Sequence, residues 1–161
     1  MNEINIKKAE RRNLRFESLD DLVADAEGVL SVPHETTGNW NASQIVGHVT
    51  DLIAVANGHR TLHVPWPLRL AGRVAKRFGL LNRPIKPGFK APGGVQQRVQ
   101  EHAGKTPEQA LAYLRSEAQH AENHAMTRPN PFFGRLTHDQ WETLHCRHAE
   151  LHFSFMRPCV D

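Results

Sequence analysis

Histidine is the residue type in this sequence with the greatest capacity for chemistry. The chain has 11 histidines, against one tyrosine and two cysteines. A neutral imidazole binds divalent metals, and imidazoles at positions i and i+4 of a helix lie one turn apart on one face. Three pairs have this spacing: His59 and His63, His120 and His124, and His148 and His152. Their positions on the predicted helices decide which pair can form a metal site.

The pair His148 and His152 lies in the middle of a core-facing stripe. At about 100° per residue, both fall on the same side of their helix as Trp141, and His145 lies on this stripe one turn earlier. The other two pairs fall at a helix end or off the apolar stripe of their helix. We therefore take His148 and His152 as metal-ligand candidates.

A third candidate, His48, lies on the flank of the apolar side of another helix, near its start. In a helical bundle it can point across to His148 and His152. Three imidazoles with open positions are typical of a catalytic site for Zn, Ni or Fe. The alternative is structural, because a histidine on an apolar face is often a core residue that is hydrogen-bonded to a carbonyl or to water.

Four helices must position these side chains, and each has a capping-box signature at its start. The signatures are Ser18 with Asp21, Asn41 with Gln44, Thr106 with Gln109 and Thr137 with Gln140. The helices are predicted at about 18–31, 41–63, 106–126 and 138–156. No segment shows sustained period-2 alternation, so we expect no strands. At 161 residues, the chain fits one all-α domain, 1–161, with a four-helix bundle and one long crossover between helices 2 and 3.

The crossover, 64–105, is rich in proline and glycine and has a large excess of positive charge. It contains nine basic residues and one acidic residue, so its net charge is +8 in a chain whose net charge is +3. Within it, 68–81 reads as a short amphipathic helix. We expect its apolar side to pack against protein, through Leu70, Val74, Phe78 and Leu81. We expect its basic side to face solvent, or to border the metal pocket and attract an anionic substrate. The basic residues of that side are Arg69, Arg73, Lys76 and Arg77.

Several other classes of protein are not supported. No run approaches the ~18 apolar residues of a membrane span, and Met1–Arg15 has no apolar signal region, so we expect a cytoplasmic protein. The common phosphate-binding, dinucleotide-binding, serine-hydrolase and CxxC motifs are absent. Cys146 has Glu142 and Glu150 as helical neighbours, which disfavour a thiolate nucleophile. No catalytic residue is assigned.

Two stretches of the chain resemble the DinB-like superfamily, in a branch described as a domain of unknown function. They are GNWNASQIVGHVTDLI (Gly38–Ile53) and NPFFGRLTHDQWETLHCRHAELHFSFM (Asn130–Met156). The resemblance implies an up-down-down-up four-helix bundle. It also implies a divalent metal held by one histidine of the second helix and an HxxxH pair of the last, which fall on His48, His148 and His152. Relatives in the superfamily include thiol-dependent transferases and isomerases.

These observations predict a metal-binding helical bundle that acts as a metal-dependent enzyme of unknown substrate. The expected reaction classes are a hydrolase and a thiol-dependent transferase or isomerase. The expected partner is a small molecule, either anionic or a low-molecular-weight thiol, with no nucleic acid and no membrane. A homodimer is left open, and so is a role for His145 as a fourth or substitute ligand. The alternative is a non-catalytic bundle with structural histidines, whose basic crossover helix docks an anionic partner.

Overall fold

The fold was analysed in a computed structural model, which describes residues 4–88 and 93–159. These residues form six α-helices, a 3-10 turn at Leu80–Asn82 and a two-stranded sheet. The helices are α1 (Leu19–Leu30), α2 (Ala42–Asn57), α3 (Trp66–Arg77), α4 (Gly93–Glu101), α5 (Pro107–Asn123) and α6 (His138–Phe153). No helix in this part of the chain is both long enough and apolar enough to cross a bilayer. The chain is therefore mostly helical, as predicted.

The four predicted capping boxes are present at the starts of α1, α2, α5 and α6. In each, the cap side chain accepts a hydrogen bond from the third backbone N–H of the helix, and the third side chain accepts one from the cap backbone. These bonds satisfy N–H groups that have no partner within the helix. Helix α2 ends about six residues earlier than predicted, because Gly58 adopts a left-handed conformation (φ 85°) that terminates it.

The core lies between α1, α2, α5 and α6. Helix α2 packs on α5 and α6, and α1 packs on the same two helices from another side. The largest side chains at the centre of this core are fully buried and mostly apolar: Trp141, Phe153, Leu22, Ile45, Ile53 and Leu114. Burying such side chains is the main favourable contribution to folding. This packing sets α2 beside α6 and so brings their histidines within reach of each other.

The expectation of no strands was wrong. His34–Thr36 forms strand β1 and pairs antiparallel with strand β2, Met156–Pro158, with His34 opposite Pro158 and Thr36 opposite Met156. Three residues are too few to show a period-2 pattern, and residue 156 had been assigned to the last helix. The sheet joins the loop before α2 to the segment after α6.

The basic crossover is partly helical, as predicted, but most of the apolar side of its helix faces solvent instead of packing against protein. Helix α3 forms at Trp66–Arg77. Of the four apolar residues expected to pack against protein, Leu81 is buried, while Leu70, Val74 and Phe78 are 55%, 51% and 72% exposed. Helix α4 was not predicted, and it packs on α2. Residues 89–92, which include the basic residue Lys90, lie outside the described residues.

Candidate metal centre

Helix α2 presents His48 from its second turn. The Asn41 side-chain oxygen accepts a hydrogen bond from the Gln44 N–H at 2.9 Å, which fixes where the helix begins and hence which face His48 occupies. The residues on either side of His48 are buried, whereas His48 itself is half-buried. His48 therefore lies where the core of the protein meets the surface.

Helix α6 presents His148 and His152 from its last turns. The Nε2 atoms of His148 and His48 lie 3.1 Å apart. The centroids of the three rings are separated by 4.8, 4.6 and 4.7 Å, and one nitrogen from each ring lies within 4.8 Å of the others. The structure thus brings together the three histidines that the sequence predicts as ligands. All three residues are half-buried, so the cluster is not sealed inside the core.

Trp40 lies against two of the three imidazoles. Its ring stacks on that of His152 with centroids 5.4 Å apart and an angle of 15° between the planes, and it meets the His48 ring edge-on at 5.1 Å. This contact restricts the orientation of both imidazoles. The sequence analysis did not single out Trp40, although its position directly before the Asn41 cap placed it at the His48 end of α2.

Burial keeps the three imidazoles neutral. It lowers the pKa of His48 to about 4, with the Asp51 carboxylate opposing this shift and His102 adding to it. Burial also lowers the pKa of His148 and of His152 well below the usual value, and the neighbouring imidazoles lower both further. Each ring is therefore neutral near pH 7 and has a nitrogen lone pair available. The neutral form is the one that binds a metal.

The donor set fits a divalent transition metal. Three neutral nitrogens favour Zn, Ni or Fe over Mg or Ca, which prefer oxygen ligands. Two ligands of a tetrahedral Zn–N site with bonds of 2.0–2.1 Å lie about 3.3 Å apart. The 3.1 Å separation of the His48 and His148 nitrogens is close to that distance. These three residues can hold an ion and leave a fourth position for water or substrate.

His145 does not belong to this cluster. It is fully buried and stacks on Trp141, with ring centroids 5.2 Å apart and planes at 16°. Neither of its ring nitrogens has a hydrogen-bond partner in the part of the chain that the structure describes. Burial lowers its pKa to about 3, so the ring is neutral. His145 shares a face of α6 with His148 and His152, but its ring packs on Trp141 and not on their rings.

Three of the four remaining HxxxH residues, His59, His120 and His124, meet in a second cluster away from the triad. His59 is hydrogen-bonded through Nδ1 to the Glu117 carboxylate at 2.9 Å, its ring lies 4.5 Å from that of His120, and His120 stacks on His124 at 4.2 Å. His59 and His124 are exposed, as expected for residues at helix ends. The nitrogens of this cluster do not converge as those of the triad do.

A buried polar network lies one turn along α2 from His48. The Asp51 carboxylate accepts hydrogen bonds from Tyr113 Oη at 3.2 Å and is paired with His102 Nε2 at 3.1 Å and Arg60 Nε at 3.2 Å. The His102 ring fits against Gly47, where a Cβ atom would lie 2.3 Å from it. This network was not predicted from the sequence, because His102 directly follows α4, a helix without a clear sequence signal. The one local indication in the sequence was Asp51, a carboxylate three residues after His48 on the same helix.

The thiol of Cys146 is buried rather than on a polar surface, and burial raises its pKa to about 12, with Glu142 and Glu150 contributing in the same direction. It is therefore a poor nucleophile, as expected, although burial is the larger cause. The only other cysteine, Cys159, is exposed. The triad is thus the best-supported site for chemistry in the described residues.

Comparison with known proteins gives a family but no activity. No curated protein and no solved structure matches the chain. One family model matches residues 8–159, which include all three histidines of the triad and nearly the whole of the described structure. The chain therefore belongs to the family described as protein of unknown function DUF1569.

Proposed function

We propose that this protein is a divalent-metal-dependent enzyme acting on a small molecule, with His48, His148 and His152 as the metal ligands. The observation that carries the proposal is the convergence of three neutral imidazoles from α2 and α6 at a half-buried position. A structural role for all three is a poorer explanation, because the Nε2 atoms of His48 and His148 face each other at 3.1 Å, a spacing suited to two ligands of one ion.

The proposed fold is a DinB-like four-helix bundle made of α1, α2, α5 and α6 in up-down-down-up order. Two features support it: these helices share the central core, and the long segment between α2 and α5 contains α3 and α4. In such bundles, metal sites are built from side chains on facing helices. The triad of α2 and α6 has that arrangement.

Each group at the site has a distinct role in this proposal. His48, His148 and His152 bind the ion, and Trp40 limits the rotation of two of them. A bound divalent metal supplies a Lewis acid, or lowers the pKa of a water or thiol. The exposed side of the cluster admits the substrate, which we take to be a low-molecular-weight thiol or an anionic molecule. The catalytic acid or base is not assigned.

Metal content of untagged protein tests the site. After incubation with Zn²⁺ or Ni²⁺ and removal of free metal, we expect about one ion per chain by mass spectrometry. His48→Ala, His148→Ala and His152→Ala should each lose it, because two ligands are too few for a stable site. His59→Ala is the matched control, since it removes a histidine from the second cluster. Metal retained by the triad variants and lost by His59→Ala would refute the assignment.

Substitution with Co²⁺ tests the substrate class. If the open position takes a thiol, adding a low-molecular-weight thiol should produce a sulfur-to-cobalt charge-transfer band in the near ultraviolet. The same addition to His148→Ala should produce none. An unchanged spectrum in the cobalt-loaded protein would exclude thiols and leave hydrolytic substrates as the class to screen.

A further inference from the structure

Helix α3 presents an apolar ridge to solvent. Trp66, Leu70, Val74 and Phe78 follow one another at four-residue spacing, which places them along one side of the helix. Trp66 and Phe78 are 73% and 72% exposed, and the two aliphatic residues between them are more than half exposed. Soluble monomers rarely expose a continuous apolar surface of this kind without a binding role.

The opposite side of α3 is attached to the rest of the protein. A Cβ atom on Gly72 would lie 2.4 Å from the Phe132 carbonyl oxygen, so the backbone of α3 closely approaches the loop that precedes α6. Lys76 donates a hydrogen bond from Nζ to the Arg135 carbonyl. Gly72 and Lys76 lie across the helix from the ridge. The helix is thus held in place with its apolar side directed away from the core.

Positive charge borders the ridge. Arg69, Arg73 and Arg77 run along α3 beside it, and all three are exposed. Next to them, a cavity of about 430 Å³ is lined by residues of α3, of the 3-10 turn and of the start of α6: Arg73, Lys76, Arg77, Gly79, Leu81, Asn82 and Gln140. This lining contains three cations and no carboxylate. The surface therefore combines an apolar ridge with a site that attracts anions.

We propose that α3 docks on the surface of a bilayer containing anionic phospholipids. Trp66, Leu70, Val74 and Phe78 would enter the boundary between headgroups and acyl chains, and the basic cavity would receive a lipid phosphate. Helices that lie in this boundary have aromatic and aliphatic residues on one face and arginine or lysine on the other, with low overall hydrophobicity. This inference does not depend on the proposed metal site, and it revises the expectation of no membrane partner.

Two other occupants fit the surface less well. A second copy of the chain would bring two arginine-rich flanks together, and 64–105 contains one acidic residue to offset nine basic ones. A nucleic acid would satisfy the positive charge, but it would leave Leu70 and Val74 without apolar contact. An anionic bilayer satisfies both the charge and the apolar ridge, since juxtamembrane basic clusters are attracted to its surface.

Co-sedimentation of the full-length protein with vesicles tests the proposal. We expect binding to vesicles of phosphatidylcholine mixed with phosphatidylglycerol, and little binding to phosphatidylcholine alone. The affinity should fall as salt is raised, because the Debye length is about 8 Å at physiological ionic strength. Quenching of tryptophan fluorescence by lipids brominated on the acyl chain should accompany binding and be reduced in Trp66→Ser.

Two pairs of substitutions separate the apolar and the ionic contributions. Arg73→Glu with Arg77→Glu should weaken vesicle binding by at least about 30-fold, since each basic residue near an anionic surface contributes roughly fivefold. Leu70→Ser with Phe78→Ser should abolish the quenching. Val32→Ser is the control for the apolar pair, because Val32 is 42% exposed and lies outside α3. Unchanged far- and near-ultraviolet circular dichroism of the variants would show that the fold is intact.

Three results would overturn the proposal. The first is equal binding to neutral and anionic vesicles, or no binding to either. The second is concentration-dependent dimerisation in analytical ultracentrifugation that Leu70→Ser with Phe78→Ser removes, in protein that does not bind vesicles. The third is binding to single-stranded DNA without binding to vesicles. None of these results would bear on the metal content of the triad.

Discussion

The burial of the triad predicts that its metal affinity changes little between pH 7 and pH 6. A histidine with the usual pKa of 6.5 is about one quarter protonated at pH 7 and about three quarters protonated at pH 6. Proton competition at three such ligands would weaken metal binding about 30-fold over this interval. With the pKa of His48 at about 4, and those of His148 and His152 well below the usual value, all three rings are neutral at both pH values. We expect a change of less than about twofold.

Equilibrium dialysis against Zn²⁺ in buffers that do not bind the metal measures this directly. Near-ultraviolet circular dichroism at both pH values confirms that the metal-free protein stays folded. His152→Ala provides the background from histidines outside the triad, including His59 and His120. An affinity that falls about 30-fold from pH 7 to pH 6 would show that the ligand histidines titrate normally, and would refute the burial that the structure gives them.

Four further predictions concern stability, measured by urea denaturation. Without metal, the free energy of unfolding should fall by about 3 kcal/mol from pH 7 to pH 6. His48, His145, His148 and His152 have lowered pKa values and stay neutral when folded, but they bind protons near pH 6.5 when unfolded, at about 0.7 kcal/mol each. Unchanged stability would contradict this. Gly47→Ala should lower the free energy of unfolding by about 1–3 kcal/mol, because the new Cβ atom collides with the His102 ring, although helix propensity alone predicts a gain of about 1 kcal/mol. Adding His102→Ala to this variant should recover part of the lost stability. His145→Phe should raise the free energy of unfolding by about 1–3 kcal/mol, because it removes two buried nitrogens that have no hydrogen-bond partner. The same change should leave the metal content unchanged. A loss of metal would show that His145 is a ligand. Arg12→Ala should cost about 2 kcal/mol, because it removes a two-bond pair with Asp25, and a loss below about 0.5 kcal/mol would contradict this.

The helix starts and the triad could be predicted because both depend on short-range patterns. A capping box needs residues three positions apart, and all four were found where Ser18, Asn41, Thr106 and Thr137 indicated. His148 and His152 come together because they lie one helical turn apart on the same face of α6. Adding His48 required only that α2 and α6 be neighbours, which the resemblance to DinB-like proteins also implied.

Features that depend on tertiary placement could not be predicted. A helical wheel shows that 68–81 has an apolar and a basic side, but it does not show which side meets the protein. In the structure, Gly72 and Lys76 meet it, because a glycine permits close backbone approach. The pairing of His102 with Asp51 joins residues 51 positions apart, and no local pattern in the sequence indicates it.

The separation of the three proposed ligands along the chain has a consequence for biosynthesis. His48 and His148 are 100 positions apart, and the sheet that joins the loop before α2 to the segment after α6 pairs residues more than 100 positions apart. A nascent chain therefore has one of the three proposed ligands until α6 has left the ribosome. At synthesis rates of about 5–20 residues per second, that interval lasts roughly 5–20 s. The three imidazoles can therefore converge on one ion only after α6 has been synthesised, at least 100 residues after His48.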